Sequence, residues 1–192
     1  MRLCVYCGSS MGHGSHFREA AAAFGERMAR EGIGLVFGGG HIGLMGALAD
    51  AVLAAGGTAI GVIPQALVDC ELAHQNLTEL HIVGSMHERK ALMAELSDGF
   101  VALPGGAGTL DEMFEQWTWA QLGIHAKPCG FLNVGGYFDP LRAMVKRMVT
   151  EGFLGSDDAG IVRFDDDPEA LVGWIVGRVR PDVGPAEDAP LP

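Results

Sequence analysis

Short apolar runs alternate with longer amphipathic stretches along almost the whole chain. Apolar runs of four to six residues that end at Gly or Pro are typical of strands buried on both faces. The stretches between them repeat apolar residues three and four positions apart, as a helix does. This pattern predicts strands at residues 3–7, 34–37, 58–63, 80–83, 100–103, 129–134 and 161–164, and helices at 17–30, 44–55, 85–96, 109–122, 140–150 and from 168 onward.

This alternation indicates an α/β protein. Parallel strands need helical crossovers, so we predict a Rossmann-like, doubly wound parallel sheet. The 192 residues suit a single domain, which we place at residues 1–180. Residues 181–192 are rich in Pro and acidic side chains, and we expect this tail to be disordered.

The composition and net charge of the chain disfavour some classes of binding partner. Hydrophobic residues make up 48% of the chain and the mean hydropathy is +0.22, which indicates a folded protein. The net charge of −11 disfavours nonspecific binding to nucleic acid or to anionic membranes. No apolar run reaches the roughly 18 residues of a membrane span, and the first residues are not typical of a signal peptide. We therefore expect a cytoplasmic protein with neither kind of partner.

The cysteines and histidines do not suggest a metal or redox centre. Cys4 and Cys7 have C-x-x-C spacing, but no second pair completes a zinc site and both lie in a predicted strand. We interpret them as reduced core residues. The seven histidines show no H-E-x-x-H spacing, so we expect no metal and no cofactor.

Three predicted strands end in glycine-rich turns, at residues 8–10, 38–43 and 105–109. Ligands of open parallel sheets bind beyond the carboxyl ends of the strands, where helix N-termini offer N–H groups to anions. We therefore expect a nucleotide or sugar-phosphate site. Residues 38–43 match G-x-G-x-x-G, but the next strand ends in Pro64 without the acidic residue of a dinucleotide site, and no P-loop motif is present.

Charged residues at two predicted helix starts have two interpretations each. Arg89 and Lys90 lie near the positive end of a helix dipole, where an anionic ligand would stabilise them; the alternative is a surface pair beside Glu88 or Glu95. Ser85 and Glu88 fit a capping box. Thr109 and Glu112 also fit one, yet a carboxylate beside the glycine turn could equally orient water and stabilise an oxocarbenium-like centre.

A longer signature carries a family resemblance. Residues 104–112 read P-G-G-A-G-T-L-D-E, which resembles the P-G-G-x-G-T-x-x-E motif of the Lonely Guy (LOG) family of cytokinin riboside 5′-monophosphate phosphoribohydrolases, many of them labelled lysine decarboxylases. The segments 38–46, 61–64, 86–90, 118–125 and 130–137 are also similar to that family, and the resemblance covers about residues 2–154.

The resemblance implies hydrolysis of the N-glycosidic bond of a purine nucleoside 5′-monophosphate, with adenine or an N6-substituted adenine as the base. It implies catalytic roles for Arg89 and Glu112, and a homodimer, which the apolar faces of the predicted helix 110–122 also favour. A non-catalytic carrier of a nucleotide or of the molybdenum cofactor is the alternative. The implied substrate and phosphate contacts are Ser9, Gly39, Glu71, Lys90, Gly105, Gly106, Ala107, Gly108 and Thr109.

Overall fold

Strands and helices alternate in the computed structural model, which describes residues 1–70 and 72–179. The strands are β1 (Arg2–Tyr6), β2 (Gly34–Phe37), β3 (Ala59–Pro64), β4 (Glu79–Val83), β5 (Gly99–Ala102), β6 (Cys129–Leu132) and β7 (Val162–Asp165). The helices are α1 (Ser15–Arg30), α2 (Gly43–Ala54), α3 (Gln65–Val68), α4 (Met86–Glu95), α5 (Ala107–Gln121), α6 (Asp139–Thr150), α7 (Ser156–Ala159) and α8 (Pro168–Val176). The expected ligand contact Glu71 and the expected disordered tail at 181–192 lie outside the described residues.

The strands form one seven-stranded sheet in the order β4-β3-β2-β1-β5-β6-β7, and every neighbouring pair runs parallel. Strands β2, β3 and β4 therefore extend to one side of β1, and β5, β6 and β7 to the other. This order confirms the predicted doubly wound fold and places a topological switch point between β1 and β5, where ligands of such sheets bind.

Alternate residues of the strands build a separate core on each face of the sheet. In β1, Leu3 and Val5 pack with apolar residues of α1, α2 and α8, whereas Cys4 and Tyr6 pack with those of α4, α5 and α6. Cys7, just after β1, is buried in the first of these cores. Burial raises the pKa of the Cys4 and Cys7 thiols, which keeps them protonated and unreactive.

The helix starts test the capping predictions. Ser85 Oγ accepts the N–H of Glu88 at 3.1 Å, which confirms the first capping residue. The predicted Thr109–Glu112 box is wrong, because α5 begins at Ala107 and Gly106 occupies the N-cap position. Thr109 consequently lies inside the first helical turn, and Glu112 has no capping role. The four-residue helices α3 and α7 were not predicted, since one turn shows no periodicity.

The described residues contain neither a membrane-spanning helix nor a metal-binding cluster of side chains. Within the described residues, no helix is both long and apolar enough to cross a bilayer. Residues 1–70 and 72–179 also contain no cluster of three or more His, Cys, Asp or Glu side chains arranged to hold a metal ion.

Candidate active site

The three glycine turns meet at the switch point of the sheet. The N–H of Gly8, after β1, donates to the carbonyl of Pro104, after β5, at 3.0 Å. The N–H of Leu44, in the first turn of α2, donates to the carbonyl of Gly8 at 2.9 Å. These bonds join the three turns, residues 8–10, 38–43 and 105–109, into one surface at the carboxyl edge of the sheet, which we call the glycine floor. Ser9 is exposed on this floor, and its contact with a ligand stays a prediction.

The third turn leads directly into α5 and leaves the start of that helix open. Gly106 caps the helix without a side-chain hydrogen bond, and no acidic residue lies in the first turn. A methyl group added to Gly106 or Gly108 would meet nothing within 4 Å among the described residues. The first N–H groups of α5 therefore face open space together with the positive end of the helix dipole, an arrangement suited to an anion.

Glycine is required at the base of this turn. A Cβ at Gly105 would overlap the Thr109 hydroxyl and lie 2.9 Å from the backbone nitrogen of Gly8. Thr109 is buried against the turn, so its side chain packs inward while the backbone of residues 106–108 is exposed. The expected phosphate-binding residues 105–109 thus lie together, and their exposed surface is mostly backbone.

Arg89 is buried beneath the second glycine turn, with only 8% of its surface exposed. Its Nε donates to the carbonyl of Val62 in β3 at 3.1 Å, and its Nη1 lies 3.7 Å from Glu112 Oε1. A Cβ at Gly38 would overlap the Arg89 Nη2 atom. The guanidinium consequently occupies space that only a glycine at position 38 leaves free.

Glu112 faces this guanidinium from α5, with 12% of its side chain exposed. Burial raises the pKa of its carboxyl, and the neighbouring Arg89 charge lowers that pKa in part. A carboxylate paired with a buried cation in a site of low water content interacts strongly with positive charge that develops nearby. The structure therefore brings together the two residues expected to be catalytic, although 23 positions separate them in the sequence.

Lys90 has partners that the sequence did not suggest. Its Nζ lies 3.0 Å from Glu115 and 3.3 Å from Asp111, both on α5, rather than near Glu88 or Glu95. The hydrogen bond to Glu115 raises the pKa of Lys90, so the ammonium stays charged. These pairs offset the unfavourable position of Lys90 at the start of α4, and its direct contact with phosphate stays a prediction.

Gly39 lies at the carboxyl end of β2 in the left-handed region, with φ of 72°. It is buried, and its carbonyl accepts the N–H of His74 at 2.8 Å. A side chain here would be strained and would lie 3.2 Å from Ile63. Gly39 therefore shapes the wall of the site near Arg89, and its contact with a ligand stays a prediction.

Tyr137 is a site residue that the sequence analysis placed only within the family resemblance. Its hydroxyl donates to the carbonyl of Gly105 at 2.5 Å. A cavity of about 210 Å³ opens beside this bond. The signal that could have identified Tyr137 is its place just beyond β6, a strand adjacent to the switch point. The cavity is lined by Gly8, Ser10, Met11, Gly12, Phe17, Leu44, Pro104, Gly105, Gly106 and Tyr137.

Comparison with known proteins agrees with the signature. The family model described as "Possible lysine decarboxylase" matches residues 45–175. The chain is 50% identical over 161 residues to a probable cytokinin riboside 5′-monophosphate phosphoribohydrolase of Oryza sativa subsp. japonica, covering 84% of this chain and 72% of the relative. This chain belongs to the LOG family. An enzyme of the same name from Rhodococcoides fascians is 50% identical to this LOG family member over 153 residues, 79% of this chain and 77% of the relative.

Two solved structures with a similar fold are of proteins named for the molybdenum cofactor. The molybdenum cofactor binding protein of Rippkaea orientalis superposes on this LOG family member with a TM-score of 0.68 at 20% identity, over 92% of this chain and 95% of the other. The molybdenum cofactor carrier protein of Chlamydomonas reinhardtii gives 0.66 at 22% identity, over 92% and 98%. At this identity the likeness shows a shared fold and no shared function.

Proposed function

We propose that this LOG family member hydrolyses the N-glycosidic bond of a purine nucleoside 5′-monophosphate, releasing the free base and ribose 5-phosphate. The base is adenine or an N6-substituted adenine. The observation that carries the proposal is the buried Arg89–Glu112 pair beside an open helix N-terminus. The names of relatives that are about 50% identical support the same reaction.

We assign the two ends of the substrate to two groups of residues. The 5′-phosphate lies on the N–H groups of the turn 105–109, and binding at that remote end positions the ribose. Glu112 stabilises positive charge on the ribosyl ring and orients a water molecule, from which it accepts a proton. The water oxygen bonds to C1′ as the C1′–N bond breaks, and the electron pair leaves with the base, which takes up a proton.

Arg89 fixes the charge state of this site. Its guanidinium lowers the pKa of Glu112 against the effect of burial, so that more of the carboxyl is ionised near neutral pH. Its Nε bond to the Val62 carbonyl holds the guanidinium against the sheet, where it faces Glu112. A lysine would not reproduce this arrangement, because the planar fork donates to two acceptors in fixed directions.

Two alternative functions fit the arrangement less well. A nucleotide or molybdenum-cofactor carrier would share the glycine floor but has no use for a buried carboxylate that opposes its anionic ligand. A pyridoxal-dependent decarboxylase needs a lysine that is free to form a Schiff base. Lys90 is held by two carboxylates, Lys127 Nζ donates to the carbonyl of Ala94 at 2.7 Å, and Lys146 is exposed on α6.

The test of the reaction is release of adenine from AMP by the wild type and by Glu112→Gln. We expect the variant to lose turnover while its unfolding free energy changes by no more than about 1 kcal/mol, since the amide keeps the shape of the carboxyl and no capping bond is lost. Glu95→Gln, an exposed carboxyl on α4, is the matched control and should retain full activity. Adenine release at the wild-type rate from Glu112→Gln would contradict the assignment.

The phosphate requirement is tested with AMP against adenosine. The chain carries −11 overall, so capture of an anion depends on local N–H groups and cations. A charge-assisted hydrogen bond contributes roughly 1.5–3 kcal/mol, so loss of all phosphate contacts should lower kcat/KM at least about a hundredfold. If Arg89→Ala lowers activity on both substrates equally, Arg89 serves the ribosyl transition state and the turn alone holds the phosphate. Equal cleavage of AMP and adenosine by the wild type contradicts the phosphate assignment.

A homodimer is the second part of the proposal. The aromatic residues of α5 that suggested it are largely covered by their own chain, since Trp117 is buried and Phe114 stacks on it at 5.6 Å. The better support is the edge strand β4 with the start of α4, where Leu80, Ile82 and Met86 are exposed.

Sedimentation of the wild type should give twice the chain mass of 20.2 kDa. Ile82→Lys should dissociate the dimer, because it places a charge in the apolar patch. Val176→Lys, an equally exposed aliphatic position on α8, should leave the dimer intact. A wild-type mass near 20.2 kDa at micromolar concentration would contradict the proposal.

A further inference from the structure

The carbonyls of residues 104–106, in the turn between β5 and α5, each accept a hydrogen bond. The Pro104 carbonyl accepts the Gly8 N–H at 3.0 Å, and the Gly106 carbonyl accepts the Leu110 N–H at 3.3 Å. The Gly105 carbonyl between them accepts the hydroxyl of Tyr137 at 2.5 Å. Two of the three donors are backbone N–H groups, whereas the donor to the Gly105 carbonyl is a side-chain hydroxyl.

The orientation of a carbonyl determines where the N–H of the same peptide points. In a trans peptide the C=O and N–H point in opposite directions, and the described residues contain no cis peptide. When Tyr137 holds the Gly105 carbonyl, the Gly106 N–H therefore points away from Tyr137. That N–H has no acceptor among the described residues, and the space beside Gly106 is open.

This peptide needs an external anchor. It joins two glycines, which rotate about φ and ψ more freely than any other residues. The next carbonyl is already committed to the first turn of α5, so the Gly105–Gly106 peptide is the last flexible unit before the helix. Without the hydroxyl, its carbonyl would be free to turn toward the anion and replace an attractive N–H by a repulsive oxygen.

The ring of Tyr137 is itself held in place. It packs edge-on against Phe17, with centroids 5.8 Å apart, and against Phe138 at 5.0 Å. The buried amide of Asn133 supports the same segment, because its Oδ1 accepts the Phe138 N–H at 2.6 Å and its Nδ2 donates to Asp166 at 2.7 Å. The hydroxyl therefore reaches Gly105 from a fixed position.

We propose that Tyr137 is a positioning residue that orients the Gly105–Gly106 peptide, so that the Gly106 N–H donates to the phosphate of the ligand. The inference rests on the proposed function in assigning the phosphate to this turn. It extends that function by making phosphate affinity depend on a hydroxyl that does not itself touch the substrate.

The test is Tyr137→Phe, which removes only the hydroxyl and keeps the aromatic packing. Calorimetric titration with inorganic phosphate and with ribose 5-phosphate should show affinity about tenfold weaker than in the wild type, since one charge-assisted bond is impaired. kcat/KM for AMP should fall by the same factor through KM, with kcat preserved. kcat/KM for adenosine should change less than about twofold, because adenosine makes no phosphate contact.

Tyr6→Phe is the matched control, because Tyr6 is the other of the two tyrosines in the chain and its hydroxyl bonds nothing in the turn. It should leave both anion affinities unchanged. Unchanged anion affinity in Tyr137→Phe, or an equal loss of AMP and adenosine cleavage, overturns the proposal, as does a wild type that binds neither anion. The titration needs no turnover, so hydroxyl-dependent phosphate binding by a chain that cleaves neither nucleotide would refute the proposed reaction and sustain the role of Tyr137.

Discussion

Gly38→Ala is a one-methyl perturbation that should displace Arg89 without disturbing the fold. Gly38 does not have a positive φ, so its backbone conformation suits alanine. The added Cβ would nevertheless overlap Arg89 Nη2 and lie 2.9 Å from Arg89 Cζ. Because the obstructing atoms are the end of a flexible side chain, we expect the guanidinium to move while the backbone of β2 stays in place.

The magnitude follows from the bonds that Arg89 would lose. Its Nε bond to the Val62 carbonyl at 3.1 Å and its approach to Glu112 at 3.7 Å depend on the present position. A hydrogen bond that involves a charged group contributes about 1.5–3 kcal/mol. At about 1.4 kcal/mol per factor of ten, kcat/KM for AMP should fall roughly 10- to 100-fold. Loss of the neighbouring charge should also raise the pKa of Glu112 further.

The assay is the pH dependence of kcat/KM for AMP, together with a urea unfolding curve. Gly38→Ala should lower kcat/KM and move its acid limb to higher pH, as Arg89→Ala should. Gly173→Ala in α8 is the control, because its Cβ would meet nothing within 4 Å in the part of the chain that the structure describes. It should keep full activity and gain about 0.5–1 kcal/mol of stability. A folded Gly38→Ala variant with wild-type kcat/KM and an unshifted acid limb would refute the reasoning.

Further predictions concern the wild-type pH profile and one buried amide. Glu112 acts as a carboxylate, and burial raises its pKa. As the pH decreases, kcat/KM should therefore begin to fall at a pH above the pKa of an ordinary glutamate. An acid limb of the pH profile at the ordinary glutamate pKa would contradict this. Gln116 is 0% exposed and neither of its side-chain amide atoms has a hydrogen-bond partner within residues 1–70 and 72–179, so Gln116→Met should stabilise the chain by about 1–3 kcal/mol in urea unfolding. Gln121→Met, at the exposed end of the same helix, should change little, and a destabilised Gln116→Met would show that the amide is bonded.

Local patterns were sufficient for the seven strands and for the six helices longer than four residues among the described residues. Most strands are short apolar runs because helices cover both faces of a parallel sheet. Strand β4, at the edge of the sheet, is the exception, since its Leu80 and Ile82 are exposed. The glycine turns were also visible, since a tight turn at the end of a strand needs glycine wherever the chain leads next. The family resemblance implied catalytic roles for Arg89 and Glu112. Only the fold shows that these two side chains, on α4 and α5, lie close together.

The two predicted helix caps show which features the local sequence decides and which depend on tertiary contacts. Ser85 caps α4 as its spacing to Glu88 predicts, although the Glu88 carboxylate accepts the N–H of Gly84 rather than that of Ser85. Thr109 and Glu112 have the same spacing, yet the N-cap of α5 is Gly106, three residues before Thr109, and Glu112 faces Arg89 instead. The path of the backbone into the helix, which the tertiary contacts of the turn set, decided between the two interpretations that the sequence left open.

Contacts between distant parts of the chain could not be predicted from spacing. Tyr137 bonds Gly105 across 32 positions, Gly38 makes room for a side chain of α4, and Lys90 finds its carboxylates on α5. Each depends on which strands are neighbours and how the helices lie over them. The sequence by itself determined the strands, the helices and the residues with suitable chemistry. The tertiary structure alone decided which of those residues meet, because distances across a sheet are set by strand order and packing rather than by separation along the chain.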